Sequence, residues 1–140
     1  MTIPRLRVFL DANILFSACR SDGAIRALLH LLEEQGHVLV ADAYVAAEAR
    51  RNLSAKAPHA SLAVLDALLA RVALGSVQAQ PRPSPDLGWL VDKDRPVLLA
   101  AIHLHCQVLV TGDKAHFGMA YGKSFQGVRV CSAAQLFELL

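Results

Sequence analysis

Short apolar runs that end in an acidic turn, separated by stretches with helical spacing, constrain this chain more than any other feature. Val8-Phe9-Leu10 runs into Asp11, and Val108-Leu109-Val110-Thr111-Gly112 runs into Asp113. Runs without alternating polar residues read as strands buried on both faces, which is the environment of a parallel sheet covered by helices. The first strand is predicted over Leu6 to Leu10, with others at His37 to Val40, Val108 to Val110 and Val128 to Val130. Between them lie helical patterns: Ile25, Leu28, Leu29 and Leu32, opened by Asp22 and stopped by Gly36; a segment from Asp42 through Leu53; and Leu62, Leu65, Leu68, Leu69 and Val72. Asp94 stands where a helix cap is expected, with Pro96 in the first turn and Val97, Leu98, Ala101 and Ile102 on one face. Ser132 and Gln135 fit a capping box for a terminal helix that turns Leu136, Phe137 and Leu140 inward. Strands separated by helices predict an α/β fold: a mostly parallel sheet with right-handed crossovers and helices on both faces.

A chain of 140 residues supports one core, so residues 1–140 are expected to form a single domain. Pro81-Arg82-Pro83-Ser84-Pro85 reads as a stiff surface connection, and Lys114 to Gln126, rich in glycine and aromatics, as loop. The hydrophobic share of 54% fits buried strands, whereas the longest apolar stretch, Val97 to Val110, is too short for a bilayer and carries His103, His105 and Gln107. With no signal-peptide pattern before Arg5 and Arg7, the expected location is the cytoplasm. Cys19, Cys106 and Cys131 lack any paired spacing and read as small buried apolar residues. A net charge of +2 neither argues for nucleic acid nor excludes it.

In an open parallel sheet, ligands bind at the carboxyl ends of the strands, so the chemistry is sought there. The predicted fold brings Asp11, Asp94 and Asp113 to one end, and Glu48 lies on a helix beside apolar neighbours. Gathered carboxylates repel unless a cation sits between them, and hard divalent cations take oxygen ligands. Each acid also has a plainer role: Asp11 as a turn residue, Asp94 as a cap, Glu48 as a surface partner of Arg50 or Arg51, and Asp113 as a loop closure. Taken together, the shared location favours a metal site.

Several segments resemble a known family in the expected order. Phe9-Leu10-Asp11-Ala12-Asn13-Ile14-Leu15 resembles the opening motif of PIN-domain ribonucleases, which include VapC-like toxin subunits of bacterial toxin–antitoxin pairs. Glu48, within Tyr44 to Leu53, matches the helical glutamate of that family. Asp94-Arg95-Pro96-Val97-Leu98-Leu99-Ala100-Ala101 resembles its third motif, and Val108 to Lys114 its fourth. The resemblance implies a three-layer α/β/α sandwich in which Asp11, Glu48, Asp94 and Asp113 hold magnesium or manganese for RNA cleavage. It also implies that Asn13 orders the first loop and that Thr111 supports the metal shell. Two departures stand out: Ala12 replaces a frequent threonine or serine, and Asp92 offers a competing register for the third motif, where Asp94 is preferred because it directly precedes the helix.

RNA requires cations beside such a pocket, because carboxylates alone repel phosphates. Lys114, Arg95 and Arg51 are the leading candidates, followed by Arg20, Arg50 and Lys123; Phe117, Tyr121 or Phe125 could stack an unpaired base. His103 and His105 are assigned to a helix surface, and His116 to a loop. The resemblance further suggests a homodimer and a cognate antitoxin as partners. Two other functions fit parts of the pattern. One is a non-catalytic RNA-binding or protein-interaction module on the same fold; the other is a phosphotransfer domain or phosphatase with Asp11 as nucleophile, for which Asn13 stands where a phosphatase expects a second aspartate.

Overall fold

The computed structural model describes residues 4–75 and 87–140. Among these residues six strands, β1 (Arg7–Leu10), β2 (Val38–Asp42), β3 (Ala73–Gly75), β4 (Val108–Val110), β5 (Ser124–Phe125) and β6 (Val128–Cys131), form one sheet in the order β3-β2-β1-β4-β6-β5. All neighbours are parallel except the antiparallel β5–β6 pair at one edge. Helices α1 (Ala12–Arg20), α2 (Ala24–Glu34), α3 (Ala43–Lys56), α4 (Ala60–Leu69), α5 (Arg95–His103), α6 (Lys114–Phe117) and α7 (Ala133–Leu139) flank it. The α/β class and the mostly parallel sheet are as the sequence predicted. The proline-rich segment from Pro81 to Pro85 lies outside the described residues.

Central strands carry the continuous apolar runs because both faces of the sheet are covered. Val8, Phe9, Leu10, Leu109 and Val110 are fully buried. From β1 the chain moves to β2 on one side and later returns to β4 on the other. This reversal is a topological switch point, and it opens a crevice between the carboxyl ends of β1 and β4.

Several local features differ from the sequence expectation. A helix, α1, begins directly after Asp11, whose carboxylate accepts from the Ala12 amide, and Ile14, Leu15, Ala18 and Cys19 form its buried stripe. Asp22 therefore opens nothing: α2 starts after Gly23 with no side-chain cap. Residues Lys114 to Gln126 are not loop throughout but contain α6, a 3-10 turn over Gly118–Ala120 and β5. These elements are too short to leave a periodic signature. The edge strand β3, with Leu74 exposed, was missed for the same reason.

The expected termini elsewhere are present. Asp42 caps α3 by accepting from the Val45 amide, and Ser132 with Gln135 closes a capping box on α7. Gly36 follows α2 with φ +83°, a left-handed conformation that glycine adopts without a Cβ penalty. His103 ends α5, but His105 lies beyond the helix at φ 58°. The three cysteines are buried and unpaired, and burial pushes the thiols of Cys19 and Cys106 up to about 11.

Buried His37 joins the amino ends of β1 and β2 by accepting the Leu6 amide at Nδ1, 2.9 Å away. That bond requires an unprotonated Nδ1, and burial lowers the imidazole pKa below its ordinary 6.5. A group depressed in the folded state stabilises fully above the unfolded value and loses that contribution as pH falls through the folded one. Thermal stability is therefore expected to fall below about pH 6.5 more steeply in the native protein than in His37→Asn, which keeps an acceptor for Leu6 but does not titrate. The carboxylates are common to both proteins, so the difference between their melting profiles isolates His37.

Candidate metal centre

The crevice at the switch point is built from both sides. Asp11 leaves β1 and caps α1, so helix geometry orients its carboxylate: one oxygen takes the Ala12 amide at 2.7 Å. The other accepts the Thr111 hydroxyl at 2.8 Å and the Asn13 side-chain amide at 3.3 Å. Thr111, fully buried after β4, also receives the Asp113 amide at 3.1 Å through its hydroxyl oxygen. Asn13 lies on α1 rather than in a loop, and its carbonyl accepts the Gly112 amide at 2.7 Å. A Cβ at Gly112 would lie 3.3 Å from that same oxygen, so glycine suits the close approach. Asn13 and Thr111 thus lock the ends of two strands together around Asp11.

Asp113 caps the one-turn helix α6, taking the His116 amide at 3.2 Å. Asp94 occupies the position before α5, yet its side chain makes no capping bond. It faces α6 instead: Asp94 Oδ2 is 2.7 Å from His116 Nδ1, which is 2.8 Å from Asp113 Oδ2. Asp92 points elsewhere, is 92% exposed and pairs with Arg95 at 2.6 Å. Of the two registers, Asp94 is the one placed beside the other acids.

Glu48 is half-buried on α3, and its negative charge acts on both Asp11 and Tyr44. Burial, chiefly, raises the pKa of Asp11, with Glu48 and Asp94 adding to the rise while the Thr111 and Ala12 hydrogen bonds oppose it. Burial also raises that of Asp94; His116 opposes the shift and Asp113 reinforces it. Tyr44 ties α3 to the segment before α5 by donating its hydroxyl to the Lys93 carbonyl at 2.9 Å. The four predicted acids therefore share one electrostatic neighbourhood.

A divalent cation fits this donor set. Carboxylates that raise one another's proton affinity need a positive charge among them, and hard oxygen donors suit magnesium or manganese. Asp94 Oδ2 and His116 Nδ1 are buried without a hydrogen-bond partner, so their close approach is not satisfied by an aligned N–H bond. Ligand atoms from Asp94, Asp113 and His116 all lie within 4.8 Å of one another. His116, assigned by sequence to a loop, is the site residue that reasoning from spacing missed. Its placement depends on Asp113 capping a helix only four residues long.

The predicted substrate contacts divide. Arg95 is already engaged, donating Nε to the carbonyls of Leu87 and Leu90 as well as pairing with Asp92. Arg50 pairs with Asp66, and Arg20 sits over the Phe16 ring at 5.7 Å. Arg51, Lys114 and Lys123 are exposed, and the charge of Arg51 reaches Tyr44 beside the acids. Among the aromatics, Phe117 is fully buried, with its ring edge-on to Trp89 at 6.4 Å, and so presents no face to a base. Tyr121 donates to the Thr111 carbonyl at 2.9 Å, and Phe125 packs on Trp89 at 5.1 Å.

Comparison with known proteins accords with this geometry. No curated protein matches the sequence. One chain of the crystal structure of VapBC2 from Rickettsia felis, bound to a DNA fragment from their promoter, has a similar fold. It superimposes with a TM-score of 0.67 at 18% identity, covering 91% of this chain and 98% of that one. The PIN domain model matches residues 7–115, a span that contains Asp11, Glu48, Asp94 and Asp113 and stops one residue before His116. With that match across most of its length, the chain belongs to the PIN domain family.

Proposed function

We propose that this protein is a magnesium- or manganese-dependent endoribonuclease, and that it serves as the toxin of a toxin–antitoxin pair. The observation that carries the reading is the convergence of Asp11, Glu48, Asp94 and Asp113 on the crevice between β1 and β4. These four residues would hold the cation. When bound, it supplies Lewis acidity for attack by water and offsets charge on the phosphate. Asp11 is held rigidly by three donors, so its carboxylate need not reorganise as charge develops. Thr111 and Asn13 keep that carboxylate oriented, while Arg51 and Lys114 are the exposed cations available to RNA phosphates. The buried thiols lie outside the crevice residues, and their raised pKa values disfavour the thiolate a nucleophile needs.

The similarity to a VapBC2 chain supports a cognate antitoxin as partner, and a homodimer is proposed with it. A cytoplasmic site of action follows from that role; no helix among the described residues is long and apolar enough to cross a membrane.

Incubating the purified chain with total RNA, with and without added Mg2+ or Mn2+, tests the activity. Cleavage that requires the cation is expected, and it should be lost in Asp94→Asn. Asp92→Asn should cut within about twofold of the native rate, because an exposed ion pair contributes little. Metal-independent RNA binding with no cleavage would instead establish the non-catalytic module.

A further inference from the structure

The four acids leave one neighbouring group unexplained. His116 stands between two of them, with Nδ1 2.7 Å from Asp94 Oδ2 and 2.8 Å from Asp113 Oδ2. Nδ1 approaches two carboxylate oxygens at once, and it makes no aligned hydrogen bond with the Asp94 oxygen. The local backbone holds this arrangement: Asp113 uses Oδ1 to cap the His116 amide and leaves Oδ2 facing the ring. Ligands about 2.1 Å from a six-coordinate ion and at right angles to one another lie about 3 Å apart. The observed separations of 2.7 and 2.8 Å are close to that edge length.

Building on the metal-dependent reading above, we propose that His116 is a nitrogen ligand of the cation held by Asp94 and Asp113. The consequence is a preference for first-row transition ions over magnesium. Imidazole nitrogen suits these ions, whereas magnesium favours an all-oxygen shell and holds its waters tightly. As a ligand, His116 would present its Nδ1 to the space between the two carboxylates, where both oxygens already lie within 2.8 Å of it. It would thereby replace one oxygen donor with a softer one. The PIN domain match ends at residue 115, so this ligand lies outside the segment that defines the family resemblance.

Manganese tests the inference because it is paramagnetic. Calorimetric titration of the RNA-free protein should show Mn2+ binding at least about tenfold tighter than Mg2+. Electron spin-echo spectra of the Mn2+ complex should carry nitrogen modulation that changes when the protein is labelled with 15N-histidine. Asp94→Asn should weaken the binding, assigning the ion to this site. His116→Asn places an amide oxygen near the position of Nδ1; it should abolish the histidine modulation and cut the Mn2+ preference about tenfold while retaining Mg2+ binding. His116→Gln is the second variant if the asparagine form does not fold.

Mn2+ bound without histidine modulation, modulation that survives removal of His116, or no Mn2+ binding would overturn the assignment. RNA cleavage by a protein lacking the modulation would leave the nuclease reading intact and remove this inference. Modulation in a protein that cuts no RNA would do the reverse.

Discussion

Asp11→Asn is expected to abolish cation-dependent RNA cleavage, lowering the rate on the order of 10³-fold, while leaving the fold in place. Asp11 is the most buried of the four acids and sits at the junction of β1, α1 and the end of β4. Asparagine keeps an oxygen for the Ala12 amide but turns an NH2 group toward the Thr111 hydroxyl, which can rotate to accept, and toward the Asn13 amide, where two donors would meet. Losing that contact costs about 1 kcal/mol. Removing a buried charge works in the opposite direction, because burial already disfavours the ionised form. The melting temperature of the cation-free protein should therefore change by only a few degrees, and circular dichroism should be native. Cleavage within about tenfold of the native rate would exclude Asp11 from the chemistry.

Phe117→Ala should have the largest effect on stability. Its ring is fully buried and forms the apolar anchor of α6, with Trp89 edge-on at 6.4 Å. Truncating a buried phenylalanine costs about 3–5 kcal/mol, a large share of the 5–15 kcal/mol typical of a domain. For a chain of this size that corresponds to a fall of roughly 10–20 °C in the melting midpoint. A one-turn helix has little stability of its own, so Asp113 and His116 should lose their fixed geometry too. Mn2+ affinity should weaken by about tenfold or more in the fraction that remains folded. Phe117→Leu, which retains most of the volume, should cost less than about 1.5 kcal/mol and keep metal binding. Thermal denaturation combined with Mn2+ titration separates the two variants.

The sequence made the sheet legible where each residue reported on its own surroundings. Val8 to Leu10 and Val108 to Val110 are apolar because they are central, and Asp42 and Ser132 cap helices within three residues of themselves. The meeting of Asp11, Asp94 and Asp113 was legible for a related reason: strand ends and helix starts are local signals, and the topology brings them together, whereas Glu48, in the middle of α3, was suggested only by the family resemblance. What remained hidden depended on distant partners. Nothing beside His116 in the chain announces Asp94, which approaches from the start of another helix. Nor does spacing distinguish a phenylalanine under a loop from one available to a base, and Phe117 proved to be the former. Arg95 looked free for phosphate but spends its guanidinium on local carbonyls and Asp92. Asp11 concealed α1 because one residue serves both as a strand-end acid and as a helix cap.

The bond from Thr111 to Asp11 spans 100 residues, and that from Gly112 to Asn13 spans 99. A ribosome making about 5–20 residues per second synthesises β1 and α1 about 5–20 s before β4. During that interval Asp11 has neither its hydroxyl donor Thr111 nor Asp113, the one acid of the four that follows β4. A nascent chain stalled before β4 therefore carries three of the six strands and no complete site. If the completed protein cuts RNA, the ribosome that makes it is spared from that site until β4, the fourth of the six strands, has been translated.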